Sequence, residues 1–96
     1  MTPHAKIYFK FCDYSIGDYI PCEVCHNQSV DIHHIKGRGK DKNVIENLCA
    51  LCRDCHTKCH NEIIKRDQMQ DIHDVFLYSL GFKEPELVDI LEGDQF

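Results

Sequence analysis

The chain has 96 residues, a formal net charge of −5 and seven cysteines. That length makes one domain with a thin core, which domains of this size often reinforce with disulfides or a structural metal. No stretch approaches the roughly 18 continuous apolar residues of a membrane span. The start, MTPHAKIYFKFCDY, also lacks the apolar run and cleavage pattern of a secretory signal, so an intracellular protein is expected.

Residues 6–11, KIYFKF, alternate Ile7, Phe9 and Phe11 with Lys6, Tyr8 and Lys10, which predicts a half-buried N-terminal strand. A turn-like stretch with Asp13, Ser15, Gly17 and Asp18 follows, and Pro21 introduces the first cysteine pair. SVDIHHI is β-prone through Val30, Ile32 and Ile35. KGRGKDKN, broken by Gly37 and Gly39, predicts a loop. From Arg53 the pattern turns helical and extends with a bend to Leu80, with Met69, Ile72, Phe76 and Leu80 as its apolar stripe. Gly81 is the expected stop. Pro85 and Gly93 frame one more short helix.

The acidity is uneven. Residues 1–60 carry 8 Lys/Arg against 7 Asp/Glu, and residues 61–96 carry 3 against 9. The predicted loop is locally basic, with Lys36, Arg38, Lys40 and Lys42 against Asp41 alone. Such a loop can meet a phosphate backbone, with binding that is weak and sensitive to salt. Its bland reading is an ordinary solvated loop.

Cysteines in reduced surroundings more often hold metal than pair as disulfides. Cys22 and Cys25 form one C-x-x-C, and Cys52 and Cys55 form another. Each turn offers two thiolates to one ion, and two turns complete a tetrahedral zinc site. Cys49 and Cys52 share the same spacing, and Cys59 lies four beyond Cys55, so spacing alone leaves the register open. Cys12, Cys49 and Cys59 also suit the role of small buried hydrophobes. A disulfide scaffold is the alternative, and it predicts no free thiols.

The histidines remain. His56 and His60 stand at i and i+4 of a predicted helix and share a face. With His33 they could give three imidazoles to a second ion, leaving positions open for water or substrate. His4, His26 and His73 read as solvated or hydrogen-bonded surface residues.

CEVC…VDIHHIKGRG…NVIENLCALCRDCHTKCH resembles the HNH endonuclease family, phage and homing type, within the ββα-metal nucleases. The resemblance spans residues 22–60, where a histidine pair, an asparagine and two knuckles occur in order. It implies the register Cys22, Cys25, Cys52 and Cys55 for a structural zinc. It implies that His34 is the general base and that Asn47 braces the loop and orients that base. His33 and His56 match the family's metal ligands, and His60 matches a third ligand of the bacteriocin branch. An aspartate is often found where this chain has His33. Neighbouring strand residues point to opposite faces, so His33 and His34 imply a bend or bulge, or work from opposite sides of a strand end.

The resulting expectation is an α+β fold: a small zinc-stapled ββα-metal core, residues 22–60, within one HNH domain of residues 1–96. A strand precedes this core and a helical appendage, 61–96, follows it. The resemblance implies metal-dependent hydrolysis of DNA phosphodiester bonds, leaving 5′-phosphate and 3′-hydroxyl ends. The catalytic ion would be Mn2+, Ni2+, Co2+, Zn2+ or Mg2+, and Lys36, Arg38, Lys40 and Lys42 would meet the DNA. A protein partner could supply specificity, no membrane is involved, and the setting is the cytoplasm of a bacterial or phage-infected cell. A phage or mobile-element nuclease fits the small size. The rival is a non-catalytic zinc-binding module for nucleic acid or protein.

Overall fold

In the computed structural model, which describes residues 1–39 and 41–82, the N-terminal segment is a helix and not the strand its alternation predicts. This helix, α1 (Pro3–Cys12), has Thr2 as its cap, with Thr2 Oγ1 accepting from the Ala5 N–H, and proline in its first turn. Ala5, Tyr8, Phe9 and Cys12 turn inward, at i, i+3, i+4 and i+7, while Lys6 and Lys10 stay exposed. The six residues 6–11 fit both periods. The capping residues and the longer window favour the helix.

Two short strands follow, β1 (Asp31–His34) and β2 (Leu48–Leu51), paired antiparallel with Asp31 opposite Leu51 and His34 opposite Leu48. The basic loop and a 3₁₀ turn (Ile45–Asn47) connect them. Lys40 of that loop lies outside the described residues, as does the helix expected between Pro85 and Gly93. All four residues of β2 are buried, so each face of the hairpin meets its own core. Leu48 and Ala50 pack with Tyr8 and Ile20 on the α1 side. Cys49 and Leu51 pack with Cys22, Cys52, Cys55 and Met69 on the other.

The predicted long helix is two helices, α2 (Arg53–His60) and α3 (Arg66–Ser79). The break has a local cause. Glu62 takes a left-handed φ of 59°, and the Ile63 N–H donates back to Lys58 O at 2.9 Å, closing α2. The end of α3 uses the same closure with the residue suited to it: Gly81 has φ 92°, and the Phe82 N–H reaches Leu77 O. Along α3 the buried residues are Met69, His73 and Leu77, with Ile72 and Phe76 half-buried and Leu80 largely exposed. The core stripe is therefore rotated from the predicted one, and a histidine sits in its middle. The described residues make a small α+β fold: three helices and a two-stranded hairpin followed directly by α2. No helix among them is long and apolar enough to cross a membrane.

Candidate metal centres and the histidine cleft

Cys22, Cys25, Cys52 and Cys55 bring their sulfurs within 4.8 Å of one another, bridging the hairpin and α2. A tetrahedral ion with Zn–S near 2.3 Å sets its sulfurs about 3.8 Å apart. Cys25 Sγ and Cys52 Sγ stand at 3.6 Å, and all four are free thiols, so the group fits structural Zn2+. Local turns aim them. The His26 N–H donates to Cys22 O at 2.9 Å, and Cys52 caps α2 with its sulfur accepting from the Cys55 N–H at 3.4 Å. Burial works to raise the Cys22 thiol, but the backbone N–H groups of Cys25, Cys52 and Val24 bring it down to about 7. That favours the thiolate at Cys22. Burial and then the sulfurs of Cys52, Cys22 and Cys25 push the Cys55 thiol up, so a bound metal must displace its proton. Cys49 lies outside the cluster, fully buried opposite His33.

The second group follows from strand alternation. Asp31 and His33 share the face of β1 turned to α2, where His56 and His60 stand one helical turn apart. The three imidazoles offer nitrogens within 4.8 Å of one another, with His56 Nε2 and His60 Nε2 at 3.1 Å. Nitrogens about 2.1 Å from a tetrahedral ion stand about 3.4 Å apart, so this donor set also fits a divalent metal. His56 Nδ1–H donates to Asp31 Oδ2 at 2.9 Å, which leaves Nε2 as the lone pair turned to the triad. A carboxylate behind a ligating imidazole fixes tautomer and ring direction. Burial, then the neighbouring His56 and His60, push His33 down to about 4, so its ring is the neutral, ligating form at ordinary pH.

His34 points to the opposite face. Its ring lies edge-on to His4 of α1 with centroids 4.5 Å apart, and Nε2–H donates to Asn43 Oδ1 at 2.8 Å. Its Nδ1 is buried without a hydrogen-bond partner among the described residues. The strand is regular through Asp31–His34, so the pair separates by alternation and not by a bulge. Both residues nonetheless line one open cleft of about 600 Å³ at the strand end. Asn47 is buried and ties the loop together: its Nδ2 donates to Gly37 O and Lys42 O, and its Oδ1 accepts from the Lys36 N–H at 2.7 Å. Those side-chain bonds all go to loop backbone, and the bond to the His34 ring comes from Asn43.

Lys36, Arg38 and Lys42 are exposed, but they do not line the histidine cleft. Lys36 and Lys42 border a hollow with Asp41, Glu46 and Asp74, and Arg38 faces the α1 side beside His4 and Asp31. Among the described residues, the lysine and arginine on the cleft are Lys65 and Arg66, at the start of α3. Sequence reading passed over both, along with Asp31 and Asn43. For Asp31 the available signal is its i, i+2 spacing from His33, which puts both on one face of a strand.

His73 is fully buried, contrary to its expected place on the surface. Its Nδ1 meets Glu23 Oε1 at 2.7 Å and its Nε2 meets Ile45 O at 2.6 Å. Both nitrogens face acceptors, so the ring is held as the imidazolium, donating twice. Burial alone would lower its pKa, but the hydrogen bond and charge of Glu23 raise it on balance. Glu23, inside the first C-x-x-C, also accepts from Tyr8 Oη at 2.6 Å and from the Ala50 N–H. One carboxylate thus ties the knuckle to α1, β2 and α3.

No family model, curated protein or solved structure matches this chain. By its own geometry it is an α+β domain with a four-cysteine metal-binding cluster and a histidine triad able to hold a second metal.

Proposed function

We propose that this chain is a metal-dependent endonuclease of the HNH type that hydrolyses DNA phosphodiester bonds. The observation that carries the reading is a single cleft bordered by the triad histidines His33 and His60 and by His34, a buried imidazole whose Nδ1 has no hydrogen-bond partner among the described residues. A closed zinc module has no use for this second, open group. His33, His56 and His60 would hold the divalent metal, which when bound supplies charge to neutralise the leaving oxygen. His34 takes the proton from the attacking water as general base. Asn47 holds the loop that passes the cleft, and Lys65 and Arg66 offer charge to the phosphate backbone beside it. Lys36, Arg38 and Lys42 add contacts further along the duplex, and a protein partner would supply target choice.

Plasmid nicking with added divalent metal, against a chelated control, tests the reading. Imidazole donors favour softer ions than magnesium does, so nicking should be faster with manganese, cobalt or nickel. No nicking with any of these would leave the rival, a non-catalytic zinc module, which the net acidity of the chain favours.

A further inference from the structure

We propose that Cys25 is an oxidative modification site: attack there by a peroxide closes a Cys25–Cys52 disulfide, releases the structural zinc and disassembles the histidine triad. This chemistry stands apart from any nuclease activity.

All seven cysteines lie among the described residues, and Cys25 alone is exposed. Cys12 and Cys59 are half-buried, and Cys22, Cys49, Cys52 and Cys55 are buried. A buried structural thiol is inert, whereas oxidation follows exposure and thiolate character. Zinc holds its cysteines as thiolates, so the loaded cluster presents one of them to solvent, that of Cys25. His26, Asn27 and Gln28, which follow it in the chain, are exposed as well.

An oxidised sulfur is resolved by a second thiol within reach. Cys52 Sγ is that neighbour, 3.6 Å from Cys25 Sγ. A bonded pair stands at about 2.05 Å, so the two sulfurs have about 1.5 Å to close. Cys52 is more than a ligand. It caps α2, with its sulfur accepting from the Cys55 N–H at 3.4 Å. α2 carries His56 and His60, and β1 carries His33. A Cys25–Cys52 bond draws the cap sulfur from the helix start and takes two of the four ligands from the ion. The cluster bridges the hairpin and α2, so its loss frees the two elements that bring the triad together.

The Cys25 thiolate attacks hydrogen peroxide: an S–O bond forms, the O–O bond breaks, and hydroxide leaves. Cys25 is now a sulfenic acid. The Cys52 thiolate attacks its sulfur, the S–S bond forms, the S–O bond breaks, and a second hydroxide leaves. The two thiolates lose two electrons between them, and the peroxide gains both. Each hydroxide takes a proton from solvent to become water. The ion, left with Cys22 and Cys55, departs as Zn2+.

The experiment uses the full zinc-loaded chain and limiting hydrogen peroxide. A chromogenic chelator follows released zinc, peptide mass spectrometry maps the disulfide, and cobalt titration reads the triad. Limiting N-ethylmaleimide, on chain not exposed to peroxide, ranks the thiols by accessibility. Maleimide should label Cys25 first. Peroxide should form the Cys25–Cys52 disulfide, with loss of about one zinc per chain and of cobalt binding at the triad. Dithiothreitol with added zinc should restore both. Cys25→His keeps a fourth zinc ligand without a thiol, so it should lose the fast zinc release and still bind cobalt as wild type does.

First labelling at Cys59 or Cys12, or a disulfide that omits Cys25, would overturn the proposal. So would zinc release from Cys25→His as fast as from wild type. If that variant does not fold, the labelling order and disulfide map of wild type decide alone. A Cys22–Cys25 disulfide would keep the entry point and overturn the pairing with Cys52. Cobalt binding unchanged after zinc loss would overturn the link to the triad.

Discussion

The cysteine cluster and the histidine triad both gather metal-binding atoms around the same hairpin and helix, yet they are built differently. Three of the four cysteines are buried, and their four sulfurs, all within 4.8 Å of one another, are enough to complete the shell of a tetrahedral ion. The triad has three donors, two half-buried and one exposed, and it borders an open cleft. Closure suits a site whose binding energy holds the fold, and an open position suits a site where water and substrate must enter. The contrast extends to support. Glu23 in the first knuckle is anchored to three other elements, whereas among the described residues the triad is steadied by one carboxylate, that of Asp31.

The strongest way to sharpen that contrast is Cys52→Ser. Structural zinc contributes about 10 to 16 kcal/mol in small zinc domains, so the variant should lose both metal and fold. Elemental analysis after dialysis, together with circular dichroism, reads the outcome. A well-folded, zinc-free variant would break the comparison at its root. Cys49→Ala, outside the cluster, should cost far less.

The next effect tests the anchoring of the knuckle. His73→Gln removes one partner of a buried ion pair and should destabilise the fold by about 3 to 5 kcal/mol. The pH dependence has a definite sign. His73 has its pKa raised above 6.5 in the fold, so its stabilisation is fully present below 6.5 and is lost as pH rises through the folded value. Urea midpoints between about pH 6 and 9 should therefore show the advantage of wild type over His73→Gln shrinking upward. An advantage that grows with pH would mean the buried ring is neutral.

The smallest effect concerns the open site. Asp31→Asn should weaken cobalt or nickel binding at the triad by about 10- to 100-fold, the usual loss when a carboxylate behind a ligating histidine is removed. Zinc in the cysteine cluster should be untouched. Equal loss at both sites would mean that the two centres are one folding unit with no separate second metal.

These differences mark what a reader of the sequence can reach. The cysteine cluster was legible because each C-x-x-C turn is set by a few bonds of local chain, and His56 and His60 because a helix repeats at four. The first helix was misread because six residues satisfy two periods at once, and the deciding signals, Thr2 and Pro3, stand before them. His73 was missed for a different reason. Its partner Glu23 lies 50 residues away, and nothing local distinguishes a histidine headed for a buried carboxylate from one on the surface. Asn43 lay inside a stretch read only as a loop, where its bond to His34 depends on a backbone turn that Asn47 holds.

The adjacent histidines test the central claim most directly, because a regular strand turns them to opposite faces and the proposed roles fail in different ways. The measurement is nicking rate against metal concentration for His33→Ala and His34→Ala. His34→Ala should keep its zinc, its fold and its affinity for the second metal while nicking falls by roughly 100- to 10,000-fold. His33→Ala should bind that metal more weakly and recover part of its activity as the concentration rises. If His34→Ala nicks at close to the wild-type rate while binding metal normally, His34 is not the base and the account is wrong.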